Sequence, residues 1–328
     1  MITFFEDESM IRKEKRKRPT YQEATRRIRA LIHHKEPALA RIFARFWAGQ
    51  RNAVTYAEIR ALVEQETQVS GSAAIAIDSE FMQIWREEYA QFIAERLAPH
   101  WNQAITAAAE YIVERVPGFR FDVTAYDMRR WMERHSAELV VQLTDGQRDA
   151  LNAVVRQAVL LPGAAADQLA YVIRPLVGLY PQQAAANFNY FRSVRETLLE
   201  NNPSMRPQTA EKRAAELAQK YAEKQHRYRA MNIARNELAV AYRAGERLTI
   251  EQAQAQGLIG RTRRRWITAD DERVCGICRA MDGAEADDGE MFVLPNGRTA
   301  YDTQGHITCR CACEFVEVEP PDRKPVIL

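Results

Sequence analysis

All the thiols of this chain, Cys275, Cys278, Cys309, Cys311 and Cys313, fall in one short C-terminal stretch, with His306 among them. The spacing is Cys275-x2-Cys278, a turn-rich loop, then His306-x2-Cys309-x-Cys311-x-Cys313. A C-x2-C turn lets two thiolates reach one metal, and Gly276 eases the tight backbone between them. Two ligand pairs on distant segments suit tetrahedral zinc, which accepts mixtures of Cys and His. The favoured set is Cys275, Cys278, His306 and Cys309. Cys311 is the alternate, because alternate residues of an extended strand stand ~7 Å apart, too far for one ion unless the strand bends. Cys313 reads as a small buried hydrophobe. The bland alternative is a group of reduced, metal-free core cysteines. An odd, clustered cysteine count favours metal over disulfides in a reducing cytoplasm. The sequence opens without the apolar segment of a signal peptide, which points to that compartment.

Catalytic templates fit these residues poorly. A zinc deaminase needs H-x-E with P-C-x-x-C, yet Val274 precedes Cys275 and no H-x-E occurs. Asp270, Asp271 and Glu272 stand near enough in sequence to serve an open catalytic zinc, so that reading stays open. Gly-rich phosphate loops and G-x-S-x-G are absent. The other histidines, His33, His34, His100, His135 and His226, read as surface or capping residues.

The elements that must position this cluster are helical. Hydrophobic residues make up 46% and charged residues 27%, an ordinary globular balance, and the net charge of +2 does not announce a polyanion binder. No apolar run is long enough to span a bilayer. A 3.6-residue period runs through Ile28, Leu31 and Ile32, then Leu39, Ile42, Phe43, Phe46 and Trp47, and onward. Thr144 with Gln147 reads as a capping box opening a new helix. Pro162-Gly163, residues 201–207 and Gly257 punctuate the run. A long helix is expected from about Thr209 to Ala244. Its apolar stripe is Leu217, Tyr221, Tyr228, Met231, Leu238 and Tyr242, with Arg235 in the middle. A buried Arg235 would need a carboxylate or carbonyl partner. Glu237 cannot supply it along one helix, so each must reach a different neighbour. After Gly260 the texture turns to short strands, with Asn296-Gly297 as a hairpin turn. The fold class expected is mainly α: a multi-helical body with a small C-terminal α+β zinc-stapled unit.

The segment from Arg229 to Gly283, followed by "HITCRC", resembles the phage head-morphogenesis family of Mu F-like minor head proteins. The matching positions are Ile233, Ala234, Arg235, Glu237, Gly257, Trp266, Asp271, Arg273, Cys275, Cys278, Gly283, His306, Cys309, Arg310 and Cys311. Asn236 departs from the usual Thr or Ser, which loosens the helix match but not the cysteine match. The likeness covers roughly residues 209–318. It divides the chain into a basic arm (1–20), a helical body (21–206), the Mu F-like module (207–318, zinc unit 261–318) and a tail (319–328). It implies a structural, non-enzymatic minor head protein of a tailed phage or prophage, at or near the portal vertex. The expected role is capsid assembly and genome packaging. The implied location is the virion head, assembled in the host cytoplasm. Arg235, Glu237, Trp266, Asp271 and Arg273 would be structural, and Zn2+ the structural cofactor. The expected partners are the portal protein, a major capsid or scaffolding protein, and packaged double-stranded DNA, with no membrane. Some relatives carry a toxin or transferase domain after the module; with Leu328 closing this sequence, none is expected here.

Two basic runs are candidate phosphate or partner contacts: Lys15, Arg16, Lys17 and Arg18, and Arg261, Arg263, Arg264 and Arg265. The N-terminal run reads equally as a solvated tail, whereas for the four arginines that abut Trp266 a binding role is favoured over a charged strand that resists edge pairing. The competing functions are an HNH-type nuclease supported by zinc and a DNA-binding zinc protein. The nuclease needs a catalytic His with a further His or Asn; only His306 lies in the region, and it serves better as a ligand.

Overall fold

A computed structural model describes residues 21–68, 79–158, 166–269 and 271–320 of the chain. The basic run Lys15–Arg18 and the Pro162-Gly163 punctuation lie outside the described residues. Helices α1 (Tyr21–Ala53), α2 (Tyr56–Gln68), α3 (Ser79–Phe92), α4 (Ala98–Val113), α5 (Tyr126–Ala158), α6 (Ala166–Ile173) and α7 (Pro181–Asn201) precede α8 (Pro207–Ala255). A π-helical turn, Ile93–Leu97, joins α3 to α4. Among the described residues no helix is long and apolar enough to cross a membrane.

The spine is α8, 49 residues and so ~74 Å long. Helices α1, α4 and α7 pack along it. Its first half offers small residues to those neighbours: Ala210, Ala214, Ala218 and Ala222 are buried. The apolar stripe expected to be buried divides instead. Leu238 and Tyr242 are buried, but Leu217, Tyr228 and Met231 are exposed. Alanine lets helices approach closely, so the alanine face won the core and the bulky stripe was left outside.

The helix also runs past its expected end at Ala244. Gly245 sits inside it because the backbone of α4 crosses there. A Cβ at Gly245 would lie 2.7 Å from Ile105 Cα and 2.8 Å from its carbonyl oxygen. Gly245→Ala is therefore expected to destabilise the protein by about 1–3 kcal/mol, as overpacking does, read as a lowered urea midpoint with unchanged slope. The helix stops before Gly257, whose φ of 68° is left-handed.

The body's core follows the sequence periodicity in α1, where Ile28, Leu39, Phe43 and Trp47 are fully buried. Thr144 and Gln147 do not open a helix. Both lie inside α5; the Thr144 hydroxyl donates to the Val140 carbonyl at 2.7 Å, and Gln147 accepts from the Tyr89 hydroxyl at 2.9 Å. Nor are all the outlying histidines on the surface. His226 is buried and bonds the Pro175 carbonyl at 3.0 Å; burial pushes its pKa down to about 4. His135 stacks on Trp131 with ring centroids 5.0 Å apart.

After α8 comes the small unit. Strand β1 (Thr262–Ile267) pairs antiparallel with β2 (Glu285–Asp287) on one side and β5 (Ala312–Glu317) on the other. Helix α9 (Gly276–Met281) lies between β1 and β2 in sequence. The expected hairpin is present: β3 (Phe292–Val293) pairs β4 (Thr299–Ala300), and Gly297 takes a φ of 79° in the turn. Trp266, Cys278, Met281, Phe292, Leu294, Cys309 and Cys311 form the unit's own core. Ile267 and Ala312 instead join the helical core. The module boundary at 207 is thus no packing boundary, because α8 is the centre of the body that precedes it.

Candidate metal centre

The Cys275–Cys278 pair is built by the start of α9. Cys275 caps the helix, and its sulfur accepts from the Cys278 amide at 3.4 Å. That puts both thiols on the same side of one turn. The second arm arrives through a turn, with the Cys309 amide donating to the His306 carbonyl at 3.2 Å. Thr308 adopts a φ of 65°, a left-handed backbone that a β-branched residue rarely takes. Gly305 lies where a Cβ would meet the Cys278 sulfur at 3.4 Å.

Two overlapping groups result. Cys275, Cys278 and His306 have their ligand atoms within 4.8 Å of one another, and so do Cys278, Cys309 and Cys311. Cys278 belongs to both, and its sulfur is 3.6 Å from that of Cys309. Tetrahedral zinc with bonds near 2.3 Å holds its sulfurs about 3.8 Å apart, so the Cys278–Cys309 pair is already spaced for it and the other donors, within 4.8 Å, would need only a small shift. The donors fit the metal. Cys311, the alternate ligand, could share an ion with Cys309 only if the chain bends between them. It does: strand begins only at Ala312, and one Arg243 nitrogen bonds the carbonyls of both Cys309 and Cys311. Cys313 lies in neither group; it is half-buried in β5, opposite Trp266.

The close sulfurs share their protons unequally. Hydrogen bonding to Cys309 and Cys311 pushes the Cys278 thiol up. The same bonds, with the nearby Arg243 guanidinium, pull Cys309 down toward thiolate. Clustered thiols that cannot all ionise without a counter-charge are what a divalent cation resolves.

The residue that sets this bend is Arg243 of α8. Its side chain is buried, at 2% exposure. It donates to the Cys311 carbonyl at 2.8 and 3.2 Å and to the Cys309 carbonyl at 2.9 Å. Neither Arg243 nor its neighbour Glu246 was singled out from the sequence. The available signal was the run of small and apolar residues from Leu238 to Gly245 around Arg243, which admits neighbours on most faces.

Burial pushes the Glu246 carboxyl up to about 8, with Arg243 opposing the shift. A carboxyl raised in the folded state is protonated there before it is in the unfolded chain. The stability this adds is therefore full below about 4.5 and is lost as pH rises toward about 8. Glu246→Gln should remove that loss, giving at pH 8 a variant more stable than the parent by on the order of a few kcal/mol. Denaturation midpoints of both proteins across that range check it.

The remaining candidate residues pair within the helical body or within the unit. Arg235 meets Glu36 of α1 in a bidentate pair, at 2.8 and 3.0 Å, while Glu237 takes His135 of α5 at 2.8 Å. The two do reach different neighbours. Asp271 binds Arg310 through both oxygens at 2.6 Å and accepts from the Arg273 amide at 3.0 Å. The Arg310 bond comes first among the causes that hold the Asp271 carboxyl below its usual range. Trp266 is fully buried, edge-on to Phe292. Arg273 is exposed beside a cleft of about 350 Å³ between α1 and the thiol unit, also lined by Arg29, Arg235, His306 and Arg310.

The β1 arginines do not form a free basic patch. Strand alternation turns Arg264 inward, where it donates to the carbonyls of Tyr301, Glu290 and Asp287 under the Tyr301 ring. Arg263 pairs with Asp287 at 2.6 Å and Glu285 at 3.2 Å. Arg265 takes Glu285 at 2.6 Å and Glu314 at 3.0 Å, and Arg261 takes Glu319 at 2.7 Å. Carboxylates hold Arg261, Arg263 and Arg265, and backbone carbonyls hold Arg264.

Residues 204–314 match the family described as phage Mu protein F like protein. This segment is similar to the Mu F-like module. It takes in all of α8, β1, the thiol cluster and the start of β5, about a third of the chain. No curated protein and no solved structure matches the chain. The match likens this third of the chain to a phage head-morphogenesis family. The module's own residues carry both halves of the metal-capable cluster.

Proposed function

We propose that the chain is a minor structural protein of a tailed phage or prophage head. It acts in capsid assembly and genome packaging at or near the portal vertex, and is not an enzyme. The observation that carries this reading is the Mu F-like module closing on a buried, metal-capable thiol cluster. Zinc bound by Cys278 with Cys309, Cys311, Cys275 or His306 would supply a cross-link between α9 and the chain leading into β5. Its role is to hold the unit's shape. Asp271, the nearby carboxylate that a hydrolytic zinc would want as a base, is engaged on both oxygens by Arg310. The portal protein and a capsid or scaffolding protein are the proposed partners. Packaged DNA is a further one, for which the N-terminal run from Lys15 to Arg18 remains the candidate contact.

The test is particle composition. Phage heads made with and without this gene are expected to differ in this one protein by mass spectrometry, and heads lacking it should package less DNA. Metal-dependent cleavage of plasmid DNA by the purified protein would instead make it a nuclease.

A further inference from the structure

The exposed stripe of α8 has an order that the module's fold does not use. Leu217, Lys224 and Met231 recur every seven residues, as do Tyr221 and Tyr228, giving the four-three spacing of a helix-pairing seam. Leu217, Tyr228 and Met231 are exposed by 41%, 64% and 45%. Beside them runs a second row at the same interval, Arg213, Lys220 and Arg227, all exposed. At ~100° per residue this row lies on the side of the seam away from the body. With Lys212 and Lys224 it makes five cations on a stretch whose exposed carboxylates are Glu216 and Glu223. None of the five has a hydrogen bond or ion pair among the described residues. Several arginines elsewhere are matched, Arg60 with Asp167, Arg115 with Glu23 and Arg263 with Asp287, whereas this stretch clusters five cations on one helix.

We infer that the α8 face from Arg213 to Met231 docks an acidic amphipathic helix of another protein. The strip is ~27 Å long, five turns of helix. Its apolar row would take the partner's apolar stripe, and its basic row and Lys224 would face the partner's carboxylates. Charge argues against a second copy of this chain, since Lys224 and the basic row would meet their own kind. Leu217 and Met231 argue against duplex DNA, whose phosphate backbone gives apolar anchors nothing to bury.

The test uses full-length protein and a synthetic 21-residue helical peptide with Leu at the seam positions and Glu on both flanks. A peptide of the same seam with Lys flanks is the control, with anisotropy read at ionic strength near about 150 mM. The parent should bind the Glu peptide and not the Lys peptide. The triple variant Arg213→Glu, Lys220→Glu, Arg227→Glu should bind the Glu peptide at least about tenfold more weakly and gain the Lys peptide. A second variant, Tyr228→Ala with Met231→Ser, should also weaken binding while keeping its helical circular dichroism. Three results would overturn the inference. One is indifference to the Glu peptide with tight binding of a DNA duplex that the triple variant loses. Another is a parent dimer that the triple variant breaks. The third is Glu-peptide binding that appears only after residues 1–11 are removed, which would put the chain's own acidic start on the strip.

Discussion

Cys278→Ser is expected to cost the protein its metal and the order of residues 262–317 while sparing the helical body. Cys278 is the one thiol common to both metal-capable groups, so its loss breaks each of them. Its side chain also sits in the unit's small core, beside Trp266, Met281 and Cys309. Structural zinc contributes on the order of 10–16 kcal/mol of apparent folding free energy in small domains. A core of this size cannot replace that. The body has an independent core spread over α1 to α8, anchored by Phe43, Trp47, Trp101 and Phe188. Far-UV circular dichroism should therefore change little, because the unit contributes only the six-residue α9. Amide exchange should show protection lost over β1, α9 and β5 and kept along α8. Cys313→Ser is the matched control, lying outside both groups, and should keep its metal. Equal metal content and equal protection in the two variants would remove Cys278 from the site.

Arg243→Ala should produce the next largest effect, through the site's second arm. The guanidinium is buried and bonds the carbonyls of Cys309 and Cys311. Truncation leaves two buried carbonyls without donors, at roughly 1–3 kcal/mol each, and opens a cavity between α8 and the thiol turn. The stability lost should total about 3–5 kcal/mol. A second effect separates a positioning role from a merely structural one. Partners that orient metal ligands typically contribute 10–100-fold in affinity. Cobalt-loaded protein should show that loss as a weaker thiolate-to-metal absorption band, and Arg243→Lys should restore part of it. Unchanged cobalt affinity in a folded Arg243→Ala protein would confine Arg243 to packing.

Much of this was legible in the sequence because it depends on local spacing. The C-x2-C turn, the Asn296-Gly297 hairpin, the strand around Trp266 and the periodic faces of α1 are set by residues within a turn or two of each other. Local chemistry also required that Arg235 and Glu237 find separate partners, and Glu36 and His135 supply them. What stayed hidden depends on which face of a helix wins the core. The stripe from Leu217 to Met231 is the more hydrophobic, yet the alanines of α8 were buried because they admit neighbouring backbones. The same competition carried α8 through Gly245, where close approach to Ile105 outweighs the weak helix propensity of glycine. Cys311 ranked only as the alternate ligand for a related reason. Extended geometry was assumed from Cys309 onward, whereas strand begins at Ala312. The pairing of the β1 arginines depends on strand register with β2 and β5, which spacing along one strand does not contain.

The central claim, a metal-stapled Mu F-like unit, is tested most directly by metal analysis of the full chain purified under reducing conditions. The prediction is about one zinc per chain with sulfur-dominated ligation by X-ray absorption, and loss of protection over 262–317 when a chelator removes it. Metal-free protein whose C-terminal unit is as protected and as stable as that of the zinc-loaded form would contradict it.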